Sequence, residues 1–132
     1  MQKYRDLQLK LTPQRLAILS YLEGNITHPS AEDIYKAVLN QFPTMSFATV
    51  YNTLEALKNK NNIQELKIDS TKKRYDPDIS PHHHLICIKC KSIADIHKDF
   101  EINLTEDMTS GFKLLGNTIE FYGLCQVCNR DD

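Results

Sequence analysis

Apolar residues recur along the first half of this chain at helical spacing, and polar residues punctuate them. Leu16, Leu19 and Leu22 fall at i, i+3 and i+6, with Ile18 widening the stripe, so one helical face packs inward. Thr12 followed by Pro13 predicts the start of that helix: Thr12 as N-cap and Pro13 at the first helical position. Residues 1–9 ahead of it read as a short, weak helix. Gly24-Asn25 stops the first strong helix, and the loop through His28 and Pro29 leads to Ser30, a second N-cap. Glu32 and Asp33 suit the positive end of the helix that follows, Ile34, Val38 and Leu39 give it an apolar side, and Pro43 closes it. Ser46 caps a third helix, from Phe47 to about Asn59, with Val50, Leu54 and Leu57 facing the core and Thr49, Tyr51, Asn52 and Thr53 exposed.

Beyond this helix the period changes from helical to extended. Residues 63–68 and 72–75 predict two strands around the turn Asp69-Ser70-Thr71, with Lys72, Lys73 and Arg74 at or near it. Three helices followed by a basic hairpin predict a winged helix-turn-helix, its third helix offering Tyr, Asn and Thr chemistry to base edges, flanked by Lys58 and Lys60. Asp76-Pro77-Asp78 reads as a hinge, so residues 1–76 and 77–132 form two domains. In the second, 83–87, 93–97 and 118–122 predict strands and 104–109 a short helix, a small α/β unit; the fold class is α+β.

Length and charge narrow the picture. At 132 residues, the chain holds one ordinary domain or two small ones. No apolar run approaches the ~20 residues of a membrane span, and no leader is evident at Met1, so a cytoplasmic protein is expected. Residues 1–78 carry 11 Lys and Arg against 9 Asp and Glu, net +2, whereas 79–132 carry 5 against 8, net −3. The asymmetry assigns any work on DNA to the first half.

Two C-x-x-C pairs, Cys87/Cys90 and Cys125/Cys128, supply the most specific chemistry. Four thiolates on two tight turns suit a structural zinc. Disulfides or a redox motif are the rival reading; a redox pair accounts for two of the four cysteines only. The 34 residues between the pairs predict a small subdomain folded between the knuckles. A second cluster precedes the first knuckle. His82, His83 and His84 lie in an expected strand, where alternation puts His82 and His84 on one face, a start for a first-row metal site. Taken singly, His28 reads as a surface histidine, and Asp76 and Asp95 as caps or solvated charges.

Leu11-Thr12-Pro13-Gln14-Arg15, His28-Pro29-Ser30-Ala31, Ser46-Phe47-Ala48-Thr49-Val50-Tyr51, Arg74-Tyr75-Asp76, the run from His82 to Cys90 and the run from Tyr122 to Cys128 occur in an order that resembles the ferric uptake regulator family over nearly the whole chain. The resemblance implies a dimeric bacterial repressor, not an enzyme, with an N-terminal winged helix and a C-terminal dimerisation domain. It is strongest to the peroxide-sensing branch. That branch implies a regulatory Fe(II) or Mn(II) site on His28, Asp76, His82, His84 and Asp95, beside structural Zn(II) on the four cysteines. It further implies oxidation of His28 or His82 when the iron form meets hydrogen peroxide, and release of DNA. Iron-sensing members usually have Glu where Asp76 and Asp95 stand and often His at the position of Asn117, so an iron-responsive regulator is the alternative. The expected partners are a second copy and a pseudo-palindromic double-stranded operator, contacted by Lys10, Ser46, Thr49, Tyr51, Asn52, Lys72, Lys73 and Arg74. Two other classes compete. A metallo-hydrolase needs a general base beside an open metal, and no further Glu or His is placed for it. A purely structural zinc adaptor leaves the His/Asp set and the basic hairpin without a role.

Overall fold

A computed structural model describes residues 10–69 and 71–130. The expectation of a helix over 1–9 lies outside the described residues. The chain divides into two compact units, 1–80 and 81–132.

The first unit is built from α1 (Pro13–Leu22), α2 (Ala31–Leu39), α3 (Phe47–Asn59) and an antiparallel hairpin, β1 (Gln64–Leu66) and β2 (Arg74–Asp76). The cap residues act as the sequence suggests. Thr12 accepts from the Arg15 amide and Ser46 from the Thr49 amide. Ser30 and Asp33 form a reciprocal capping box, with Asp33 N donating to Ser30 Oγ at 3.2 Å and Ser30 N donating to Asp33 Oδ2 at 3.0 Å. Ser30→Ala is therefore expected to cost about 1 kcal/mol of stability, read as a lower urea midpoint at unchanged slope.

One apolar core holds the three helices and the hairpin together: Ile18, Leu19 and Leu22 from α1, Ile34 and Val38 from α2, Val50, Leu54 and Leu57 from α3, then Ile63 and Tyr75. Two residues sit on other faces than the pattern suggests. Leu16 is 38% exposed, because at 100° per residue it lies about 110° round from the centre of the arc made by Ile18, Leu19 and Leu22. Thr53 is buried: it lies only about 40° beyond Leu57 at the edge of the arc of Val50, Leu54 and Leu57, and its hydroxyl is satisfied by donating to the Thr49 carbonyl at 2.7 Å. The hairpin strands are three residues each, shorter than expected, and Lys72 and Lys73 precede β2 rather than lying in it.

The second unit is a three-stranded sheet in the order β4-β3-β5, from β3 (His83–Cys87), β4 (Ile93–Ile96) and β5 (Glu120–Gly123). β3 and β4 form an antiparallel hairpin, whereas β5 runs parallel to β3, with Cys87 opposite Gly123. Parallel pairing needs a long crossover. That crossover occupies the stretch between the cysteine pairs and holds one short helix, α4 (Glu106–Thr109). Because β3 and β5 are parallel, the turns after their ends emerge at the same edge of the sheet. The buried apolar side chains of this unit are few: Ile86, Ile93, and the cysteines Cys87 and Cys128. Among the described residues, no helix is long and apolar enough to cross a membrane.

Candidate metal centres and nucleic-acid interface

The thiol cluster grows directly from that topology. Cys87 ends β3, the chain turns through Cys90, and Lys91 takes a left-handed conformation with φ 67° as it enters the hairpin. Cys125 follows β5 by two residues, and Cys128 opens a 3-10 turn, Cys128–Arg130. All four sulfurs lie within 4.8 Å of one another, and Cys90 Sγ is 3.7 Å from Cys125 Sγ. A tetrahedral zinc with Zn–S near 2.3 Å separates its sulfurs by about 3.8 Å, so this spacing fits a shared ion and is far too long for a disulfide bond. All four cysteines are free thiols.

Backbone amides prepare the sulfurs to carry negative charge. Cys90 N and Cys125 N donate to Cys87 Sγ at 3.5 and 3.4 Å, and Cys128 N donates to Cys125 Sγ at 3.5 Å. The amides of Cys90 and Cys125 bring the Cys87 thiol down to about 5. Cys125 is lowered by the Cys128 amide. Cys128 moves the opposite way, up to about 12, because it shares a hydrogen bond with Cys125 and is desolvated. Cys87 and Cys128 are thus pushed in opposite directions within one cluster, and a divalent cation would favour the thiolate form of both.

The His and Asp candidates fall into two sets, one in each unit. In the first, His28 sits in the loop before α2 and Asp76 ends β2. His28 Nε2 is 3.3 Å from Asp76 Oδ2, and both residues are at least 99% buried. Neither is the solvated side chain that its isolated position suggests. The loop is drawn in by Tyr75 N, which donates to the Pro29 carbonyl at 2.8 Å, and by Arg74 Nε, which donates to the His28 carbonyl. His28 itself is left-handed, with φ 55°, an uncommon conformation for a side-chain-bearing residue.

In the second unit, His82 and His84 share a face as strand alternation predicts. Asp95 pairs with His84 across the β3–β4 ladder. Its Oδ1 is 3.1 Å from His82 Nε2 and 3.5 Å from His84 Nε2. His83 points to the other face, where its Nδ1 accepts from the Ile119 amide at 2.9 Å and its ring meets Phe100 at 5.1 Å. A second-unit residue missed by the sequence reading is His97. Its ring stacks on His82 with centroids 4.8 Å apart and planes inclined by 26°. The signal was available: His97 is two residues after Asp95 at the end of β4, and alternation returns it to the same face.

The candidate DNA residues all lie in the first unit. Tyr51 is 40% exposed on α3 and Asn52 is exposed beside it. Ser46 and Thr49 stand at the start of α3, their hydroxyls 3.0 Å apart. Lys10 and Lys72 are exposed. Lys73 is half-exposed and pairs with Glu65 at 3.3 Å. Burial pulls the Glu65 carboxyl up, but Lys73 and Lys58 outweigh it and hold Glu65 below its usual range. Arg74 is used inside the unit, holding the His28 carbonyl and pairing with Asp69 at 3.2 Å. Of the three basic residues before and at β2, Lys72 and Lys73 therefore stay exposed, as does Lys67 just after β1.

A helical triad with a basic hairpin, joined to a unit carrying a tetrathiol cluster and clustered imidazoles, defines the class of metal-responsive winged-helix regulators. The chain belongs to the ferric uptake regulator family, whose model matches residues 6–122. It is 37% identical over 134 residues to the peroxide operon regulator of Bacillus subtilis strain 168, covering 100% of this chain and 92% of that one. The structure of the repressor PerR from Streptococcus pyogenes, described as a basis for peroxide sensing and gene regulation, is 32% identical with a TM-score of 0.53, covering 96% of this chain and 88% of that one. The iron-containing ferric uptake regulator of Francisella tularensis shares the fold at a TM-score of 0.74 and 24% identity, over 95% of this chain and 98% of that one.

Proposed function

We propose that this chain is a metal-dependent, DNA-binding transcriptional repressor that senses peroxide through iron-catalysed oxidation of a ligand histidine. The observation that carries the reading is the pairing of two carboxylates with three imidazoles, His28 with Asp76 and His82 and His84 with Asp95. Nitrogen and carboxylate oxygen suit Fe(II) and Mn(II), unlike the thiolates of the cysteine cluster, which suit zinc. Relatives 34–37% identical to this chain carry the names of peroxide regulators.

In this reading, zinc is held by Cys87, Cys90, Cys125 and Cys128, and one regulatory ion joins His28, Asp76, His82, His84 and Asp95. Residues 1–76 bind DNA and 77–132 dimerise. A shared ion fixes how the two parts are oriented, and in a dimer this sets the spacing of two α3 helices on a pseudo-palindromic operator. Iron held by these residues would catalyse peroxide cleavage. His28 or His82 would lose two electrons and take up one oxygen atom while the other leaves as water, and the oxidised ring, a poorer ligand, would let the two ligand sets separate. Manganese supports DNA binding without this reaction. The protein acts on DNA in the bacterial cytoplasm. Ile102, Leu104, Phe112, Leu115 and Tyr122 leave the second unit with extensive exposed apolar surface, as a dimerisation unit requires.

DNA binding tests the reading. Mn(II)-loaded protein is expected to shift operator DNA with steep salt dependence, and a chelator that strips manganese but not zinc abolishes the shift. Tyr51→Ala is expected to cost about 1–3 kcal/mol on operator and relax specificity, whereas Lys73→Ala weakens operator and random DNA alike. Equal losses on both DNAs for Tyr51→Ala contradict base readout by α3, and metal-independent binding contradicts the regulatory role.

A further inference from the structure

The ring stack of His97 on His82 has no role in the reading above, and the geometry points to one. We propose that His82, Asp95 and His97 form a surface-reached accessory site that takes a divalent metal ion, Fe(II) or Mn(II), from solvent and passes it to the regulatory ligand set. The proposal rests on that set being a metal site.

Three observations support it. Each of the three residues offers one ligand atom, and these atoms lie within 4.8 Å of one another. Donor nitrogens about 2.1 Å from one ion lie at most about 4.2 Å apart, so a grouping of this size is on the scale of a shared ion. His97 lies just past the end of β4 and is exposed, so an ion from solvent reaches it first. The accessibility of the three residues is also graded. His97 is exposed, the Asp95 side chain is 11% accessible, and the His82 side chain is fully buried. An ion bound first by the exposed imidazole meets the Asp95 carboxylate next and His82 last. Since Asp95 Oδ1 also lies near His84 Nε2, it remains a ligand while the ion exchanges His97 for deeper groups. Two imidazoles and one carboxylate suit the same borderline ions as the regulatory set, so the ion meets compatible donors at every stage. No group gains or loses an electron; metal–nitrogen bonds exchange one for another.

Kinetics on the zinc-loaded full chain test this, with Co(II) as an absorbing probe. A residue used only in transit changes the rates in and out together, because both directions cross the same barrier. His97→Ala is expected to slow Co(II) uptake by about tenfold, the factor made by about 1.4 kcal/mol at the barrier. It is expected to slow chelator-driven removal by a similar factor. His97→Phe keeps an aromatic ring against His82 but offers no nitrogen, and it should behave like His97→Ala. Uptake at the wild-type rate in His97→Ala overturns the proposal. So does faster removal, which marks His97 as a permanent ligand, and so does wild-type uptake in His97→Phe, which marks the ring as packing only. Wild-type protein that takes up no Co(II) beyond its zinc contradicts the regulatory site itself, an outcome distinct from Co(II) uptake indifferent to His97.

Discussion

Cys125→Ser is expected to release the zinc and unfold residues 81–132 while the helices of the first unit survive. The reason is the imbalance between the two cores. The first unit buries a continuous cluster from Ile18 to Tyr75. The second buries Ile86 and Ile93 and otherwise depends on two cysteines of the thiol cluster. A unit of that size rarely holds itself together by apolar burial alone. Structural zinc binding in small domains contributes on the order of 10–16 kcal/mol near neutral pH, far more than such a core. Cys125→Ser replaces one thiolate ligand by a hydroxyl that does not ionise near neutral pH, and it removes the sulfur that the Cys128 amide supports. Metal analysis should find no zinc, sedimentation should find monomer, and amide exchange should be fast throughout 81–132 yet slow in α1 and α3. A zinc-free variant that remains a folded dimer contradicts this account of the second unit.

Asp76 carries the second large effect. It is 1% exposed and its carboxylate faces His28, so a substitution there acts on the proposed regulatory ligands rather than on the surface. Asp76→Ala removes one anionic donor and leaves His28 buried without that partner. Metal-dependent DNA binding is expected to be lost altogether. Asp76→Glu keeps charge and ligand type and adds one methylene. The longer side chain can occupy the coordination position that peroxide needs, so DNA binding survives and oxidation falls. Mass spectrometry reads the difference as one added oxygen atom on a peptide containing His28 or His82. Iron-loaded wild type exposed to dilute peroxide should show it, manganese-loaded wild type should not, and Asp76→Glu should show much less. Iron-loaded wild type that gains no oxygen at histidine, yet binds operator in response to iron, replaces the peroxide reading with the iron-responsive one.

The elements that could be read from the sequence were those with a local cause. Thr12, Ser30 and Ser46 are caps whose partners lie three residues away, and each helix starts where its cap directs. The four cysteines announce themselves by spacing, and their convergence follows from β3 and β5 being parallel. Pattern fails where a distant element decides. Nothing near His28 in sequence indicates its burial; Tyr75 and Arg74, more than 40 positions on, pull its loop inward. Arg74 likewise reads as a wing cation, yet Asp69 and the His28 carbonyl engage its guanidinium. Thr53 reads as a polar surface residue because a hydroxyl is counted as needing water, and the Thr49 carbonyl replaces that water.

The parallel pairing of β3 with β5 also has a consequence in time. Cys87 and Cys125 meet only after 38 intervening steps of chain have been made and the crossover has closed, and contacts of that separation form slowly. The helices of the first unit form through neighbours in sequence and need no metal. A nascent molecule thus passes through an interval in which its α3 surface is folded while its thiols still await their ion. Zinc supply, rather than iron or peroxide, is then expected to set how many chains mature, and chains made without zinc should show a folded first unit beside an unfolded second.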